Sequence, residues 1–345
     1  FEWDRAIYDG NDWSGRNPGQ PFFMQVQLHG GKYREGNGWT KTVLKTLGTT
    51  TSPDAVTLPP YYPGDRVILD DWAQYLDAVR YTDQQVGDVI KRLERDGLLE
   101  QTVVFFTTDH GISHARGKQF LYDEGIHVPL IVRGPGVGRG VIRDDLIELI
   151  DLAPTSLALA GIDIPVKLQG RDIFAAGKTA RDAVFSARDR CDETVDQIRC
   201  VRTSAFKYIR NGYPARPLLQ PNRYKDDKVI IKRLRELHEL GQLDPLQERI
   251  LFSSTRPPEE LYDLQADPNE IHNLAIDQSY RPKLLELRER LDRWIEETGD
   301  RGHQPESQSM YDSDMEVYLA SQSQQQNTRL RENIKLMKQW SAQGK

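Results

Sequence analysis

Cysteine is nearly absent from this chain: of 345 residues, only Cys191 and Cys200 carry a thiol. A disulfide-rich scaffold is thereby excluded, although the two can pair across a hairpin or stay as free buried thiols, and both readings stand. No apolar run approaches the roughly 18 residues that a membrane-spanning helix requires, so no transmembrane helix is expected. No basic block stands out, and 46 Lys and Arg against 52 Asp and Glu give a formal net charge of −6. That balance argues against a general nucleic-acid binder. N-x-[ST] acceptors and internal repeats are also missing. The chain opens on Phe1-Glu2-Trp3-Asp4 without Met or a leader, which reads as a processed or truncated chain.

What is there suffices for a sizeable core. The composition is 38% apolar and 28% charged, and the length suits two domains. Residues 1–20 read as loop. "PFFMQVQL", from Pro21, reads as a short strand ending at His29 and Lys32, and residues 33–69 as a long loop of the kind that is usually functional. A helix is expected from Asp70-Asp71 to Gly97, with Trp72, Leu76, Val79, Val86, Ile90 and Leu93 at three- and four-residue steps. Strands follow at 102–108 and 126–133, then strand and helix over 146–160, with Pro154 in the first helical turn and Gly161 as stop.

Alternating strands and helices predict an α/β domain with a mainly parallel sheet flanked by helices, over residues 1–175. Residues 176–300 read as a smaller antiparallel sheet with a helical insertion at 225–252 and a helix at 281–297. Residues 301–345 read as a loosely held polar tail with one short helix at 329–340. In parallel sheets, ligands sit beyond the carboxyl ends of the strands, where His29 and Asp109 would both fall.

The chemistry concentrates in "FFTTDHGISHARGKQF". Asp109 and His110 at a strand tip, beside a small Gly111, can ligate a divalent ion; alone they can equally be a turn Asp and a surface His. Lys118 strengthens the first reading, because it brings a point charge to an anion bound there. Arg116 is expected in a solvated pair with Asp123 or Glu124. "GISHA" approaches a nucleophile elbow, but Ala115 fills the fifth position and the acid and base precede the serine. "GPGVGRG" at 134–140 lacks the Gly-Lys-Ser/Thr of a phosphate loop and reads as a turn.

These residues resemble the sulfatases of the alkaline-phosphatase-like superfamily. The likeness runs through "PFFMQVQLH", "DQQVGDVIKRLERDGLL", "TVVFFTTDHGISHARGKQFLYDEGIHVPLIVRGPG", "LIDLAPTSLALAGIDIP", "LQGRDIF" and "ELYDLQADPNEIHNLA", covering most of residues 20–300. "SARDRCDETVDQIRCVRTSAFKYIRN" is similar to the heparan N-sulfatase (sulfamidase)-like branch. The resemblance implies an alkaline-phosphatase-like fold, a sulfated carbohydrate or other sulfate ester as substrate, and an exported protein. It implies a divalent cation, most often calcium, with Asp109 and His110 as two of its ligands, and Lys118 contacting the sulfate.

The family's formylglycine arises from C/S-x-P-x-R, which is missing: Cys191 is followed by Asp192-Glu193 and Cys200 by Val201-Arg202. The early Asp pair that completes the cation site is missing too, so the expectation is that the family's N-terminal segment lies outside this chain, and that the chain alone is inactive. Lys32 stands where the family usually has a His. Either His29 serves by a shifted loop, or Lys32 contacts the substrate, or the role is lost. A non-catalytic binder of sulfated sugars and a phosphodiester or phosphonate hydrolase are the alternatives.

Overall fold

The structure is a computed structural model that describes residues 8–31, 34, 36–177, 179–321 and 324–345. Its longest element is helix α2, Arg66–Arg95, which follows α1, Asn37–Leu47. α2 begins earlier than Asp70: the Asp65 carboxylate accepts from the Val67 N–H and caps it, and Gly97 at φ +69° ends it. Its buried face is also displaced from the expected stripe. Ile68, Asp71, Ala73, Ala78 and Thr82 are inside, whereas Val79 is 46% exposed. The small Ala78 lets α1 approach, so that Trp39 and Val43 pack on it. The stretch read as one long loop therefore holds a helix, anchored by apolar residues four apart and stopped by Gly48 at φ +74°.

Residues 21–28 run extended without a strand partner among the described residues. The alternation survives the missing pairing: Phe22 and Met24 pack beside Trp13 and Leu93, while Phe23 is 76% exposed. Strand β1, Val104–Thr107, pairs antiparallel with β2, Leu130–Arg133, Val104 lying opposite Arg133 and Thr107 opposite Leu130. The connecting residues 108–129 double back through helix α3, Asp123–Ile126, so the chain returns alongside itself. No parallel pair forms among the described residues. The stretch 146–151, read as a strand, is a 3₁₀ turn at Leu149–Asp151 leading into α4, Leu152–Leu159.

The second sheet is antiparallel, as expected. Strands β3 (Val184–Cys191), β4 (Thr194–Arg202), β5 (Phe206–Asn211) and β6 (Glu259–Asp263) lie in that order. Its period-two alternation separates two cores. Cys200, Ile209 and Tyr262 face Ile68 of α2, Phe120, and Ile230, Ile231 and Leu234 of α6, Val229–Glu239. Their neighbours Val201, Tyr208 and Leu261 face Leu284, Leu287 and Leu291 of helix α8, Arg281–Thr298. The insertion between β5 and β6 is helical: α5 (Arg223–Asp226), α6, and α7 (Pro245–Gln247), which runs into a π turn at Glu248–Phe252.

The tail is not loosely held. Helices α9 (Gln308–Ala320) and α10 (Gln324–Ala342) pack Tyr311 and Met315 against Leu330, Ile334 and Met337. Both reach the β3–β4 turn: the Tyr311 hydroxyl donates to the Glu193 carbonyl and the Asn333 amide to its carboxylate, each at 2.7 Å. The Gln- and Ser-rich composition hides these few apolar contacts. Cys191 and Cys200 are free thiols; Cys200 stands opposite Ser186 and Cys191 opposite Thr194, too far along the ladder to bridge.

Candidate functional site

β1 ends where glycine is obligatory. A Cβ on Gly111 would lie 2.0 Å from the Glu124 carbonyl oxygen, and its N–H donates to the Gly125 carbonyl at 2.9 Å. This close passage leaves Asp109 and His110 on the rim. The Asp109 side chain is 88% exposed, and its Oδ1 lies 3.6 Å from His110 Nε2. His110 Nδ1–H donates to the Gly111 carbonyl at 2.7 Å, a tautomer assigned from that hydrogen bond. Nε2 therefore keeps its lone pair beside the carboxylate, as in a metal-ligating imidazole whose other nitrogen is held by a carbonyl. The pair fits half of a hard-cation site. No cluster of three or more His, Cys, Asp or Glu side chains able to hold an ion occurs among the described residues.

The chain from 111 to 118 closes on itself, Lys118 N–H donating to the Ile112 carbonyl at 2.7 Å. A Cβ on Gly117 would lie 1.9 Å from that same oxygen. Gly117→Ala is therefore expected to force the loop open, lower the melting temperature by several degrees and remove any function that depends on Lys118. A melting curve and an activity assay unchanged from wild type would contradict this packing. Gln119 then adopts φ +84°, rare for a residue with a Cβ. Its amide donates to Cys191 Sγ at 3.1 Å and to Asn222 Oδ1 at 3.3 Å, so β3 and the segment before α5 hold the strained turn.

Lys118 is half-buried and its Nζ lies 4.9 Å from the centroid of Tyr224. The ammonium, carried by the loop that leaves Asp109 and His110, thus rests on Tyr224. The Tyr224 hydroxyl is 3.1 Å from Ser113 Oγ, so among the described residues Ser113 has a phenol and not an imidazole for its partner, which argues against a serine-hydrolase site. Lys225, 3% exposed, donates to the carbonyls of His114 at 2.6 Å and Ala115 at 3.2 Å. Burial, and then the like charge of Arg188, push its ammonium down to about 7.

Beneath the loop lies a network that sequence reading missed. His114 is fully buried; its Nε2 lies 2.7 Å from Asp71 Oδ2 and 2.8 Å from an Arg34 guanidinium nitrogen, and Arg34 donates to the same carboxylate oxygen at 3.0 Å. Burial pushes the imidazole below its ordinary value, with Asp71 opposing it. Burial raises the Asp71 carboxyl, but His114 and Arg34 outweigh it and hold the group below the usual range. Arg34 also donates to the Gly31 carbonyl at 2.7 Å, tying the segment after His29 to α2 and to the 111–118 loop. The available signal was Asp71 three residues after Ile68, on the buried face of α2.

Arg116 departs from its expected solvated pair. It is 1% exposed, lies 3.8 Å over Tyr122 and 4.6 Å over Tyr61, and donates to the carbonyls of Asn269 and Glu270, each at 2.8 Å. Glu124 instead accepts from the hydroxyls of Tyr61 at 2.6 Å and Tyr62 at 2.9 Å. His29 stacks on Trp39 at 4.8 Å and meets the edge of Tyr81, and its Nδ1–H donates to the Gly30 carbonyl at 2.7 Å. Lys32 lies outside the described residues. Burial raises both thiols, Cys200 up to about 12, so neither is a ready thiolate. An open cavity of about 670 Å³ beside Arg133 and the 134–140 turn sits at the other end of the β1–β2 ladder from Asp109.

Comparison with known proteins gives this geometry a context. The family model described as Sulfatase matches residues 2–162, and that of the N-sulphoglucosamine sulphohydrolase C-terminal region matches 110–215. An ulvan-active sulfatase of Formosa agariphila is 38% identical over 253 residues, 73% of this chain and 42% of that protein. The N-sulphoglucosamine sulphohydrolase of Homo sapiens is 28% identical over 313 residues, 81% of this chain and 62% of that protein. The chain thus spans about half the length of these curated relatives. A solved 2-O GAG sulfatase shares the fold, with a TM-score of 0.53 at 24% identity over 69% of this chain and 46% of that one.

Proposed function

This chain belongs to the sulfatase family, and from that premise we propose that the natural protein hydrolyses a sulfuric ester or N-sulfate of a sulfated glycan. One observation carries the reading: a carboxylate and an imidazole whose Nδ1 is held by a backbone carbonyl share the tip of β1, on the loop that presents Lys118. Asp109 and His110 would hold a divalent cation, calcium by the oxygen donor and the family resemblance. Bound there, the cation would offset charge on the transferring group. Lys118 donates a charge-assisted hydrogen bond to a sulfate oxygen, which strengthens as negative charge develops. The proton for the leaving oxygen or nitrogen comes from His29 or Lys32, which separate alanine variants would tell apart.

The nucleophile in this reading is a formylglycine from outside residues 1–345, since neither cysteine here lies in a C/S-x-P-x-R context. Residues 1–345 expressed alone are accordingly expected to release no sulfate. The test is a panel of matched sulfate esters, N-sulfates and phosphate esters offered to the natural protein. Sulfate release at least tenfold faster than phosphate release is expected. Binding of sulfated sugar without turnover would favour a non-catalytic relative, and faster phosphate or phosphonate release would move the chemistry to phosphorus.

A further inference from the structure

Lys118 shares its aromatic partner with a second cation. Lys228 Nζ lies 5.1 Å from the Tyr224 centroid, against 4.9 Å for Lys118. The two ammoniums are therefore no more than about 10 Å apart, the sum of those distances. Both are half-buried, and neither forms an ion pair among the described residues. The nearest acids in sequence are engaged elsewhere: Asp226 with Arg235 at 2.7 Å and Asp227 with Arg329 at 3.4 Å. The Lys225 ammonium, between them in sequence, is turned inward onto two carbonyls.

In a chain of net charge −6, this leaves a local excess of positive charge around one short helix. Two like charges sharing one ring repel, and the negative faces of the ring offset only part of that. An anion offsets the rest. A ligand that carries a second anionic group close to the sulfate at Lys118 can meet both ammoniums.

We propose that Lys228 and Tyr224 form a second anion subsite, which makes this site selective for a polyanionic saccharide bearing a second sulfate or carboxylate near the sulfate held by Lys118. The proposal rests on the sulfatase reading for what Lys118 does, but the positive patch is tested separately.

In the natural protein, wild type and Lys228→Ala would be compared on three matched disaccharides: monosulfated and neutral otherwise, disulfated, and monosulfated with a uronate. Lys228→Ala is expected to lower kcat/KM for the two dianionic substrates about tenfold more than for the monosulfated one. The larger loss, on the disulfate or on the uronate, identifies the group recognised. Equal losses on all three, with folding intact by circular dichroism, would overturn the subsite while leaving the sulfatase reading in place. Should the wild type cleave none of them, titration calorimetry decides. A tenfold weaker affinity of Lys228→Ala for the disulfated disaccharide alone supports the subsite without the chemistry, and equal affinities refute it.

Discussion

Lys118→Ala in the natural protein is expected to lower kcat/KM for a sulfate ester by roughly 10- to 100-fold, the loss of one charge-assisted hydrogen bond of about 1.5–3 kcal/mol. The fall should be mainly in kcat if the contact tightens as charge builds on the sulfuryl oxygens, and mainly in KM if it is equally strong in the ground state. The fold should not suffer. The Lys118 backbone, through its N–H to the Ile112 carbonyl, shapes the loop, whereas its ammonium contributes only a half-buried contact with Tyr224. Lys118→Arg should recover part of the activity, because it keeps the charge on a differently shaped donor. A kcat/KM unchanged in Lys118→Ala would remove Lys118 from the site.

Asp123→Asn is expected to be strongly destabilising. Asp123 begins α3, directly behind the site loop, and its carboxylate receives Lys207 Nζ at 2.5 Å and both arms of Arg202 at 3.1 Å. Lys207 is fully buried between Asp123 and Glu270, so the substitution leaves a buried ammonium with Glu270 alone. Breaking such a buried pair typically costs about 3–5 kcal/mol. Because Lys207 and Arg202 belong to β5 and β4, the change also loosens the β1–β2 hairpin from the second sheet.

The pH dependence of Asp123 has a definite sign. Burial raises the Asp123 carboxyl, but Lys207 and Arg202 outweigh it and bring it to about 2, below its ordinary 3.8. The folded state thus releases this proton more readily than the unfolded chain. The stabilisation is complete above pH 3.8 and is lost as pH falls through about 2; it amounts to about 2 kcal/mol. Urea midpoints measured between pH 5 and pH 2 should fall less steeply in Asp123→Asn than in wild type. Parallel curves would show that another carboxylate governs the acid limb.

The elements that local chemistry dictates were readable. The apolar run ending in Asp-His-Gly appears as β1 with its rim, and the stretch from residue 176 as a smaller antiparallel sheet. Leu284, Leu287 and Leu291 appear as the buried face of α8. What escaped depends on partners remote in sequence. Residues 21–28 have a strand's alternation, but a strand is assigned only where another segment bonds to it, and none does so among the described residues. The Arg34–Asp71–His114 network joins three residues that are individually ordinary, and burial makes them a unit. Arg116 reads as a surface cation and becomes the buried filling between Tyr61 and Tyr122. Lys228 carried no signal until folding set it beside the ring that Lys118 occupies.

A crystal structure of the natural protein grown with calcium and inorganic sulfate tests the central claim most directly. The expected result is a cation bound by the Asp109 carboxylate and His110 Nε2, with a sulfate oxygen on that cation and another within hydrogen-bonding distance of Lys118 Nζ. A cation bound elsewhere while Asp109 stays in solvent, or a sulfate lodged away from Lys118, would contradict it.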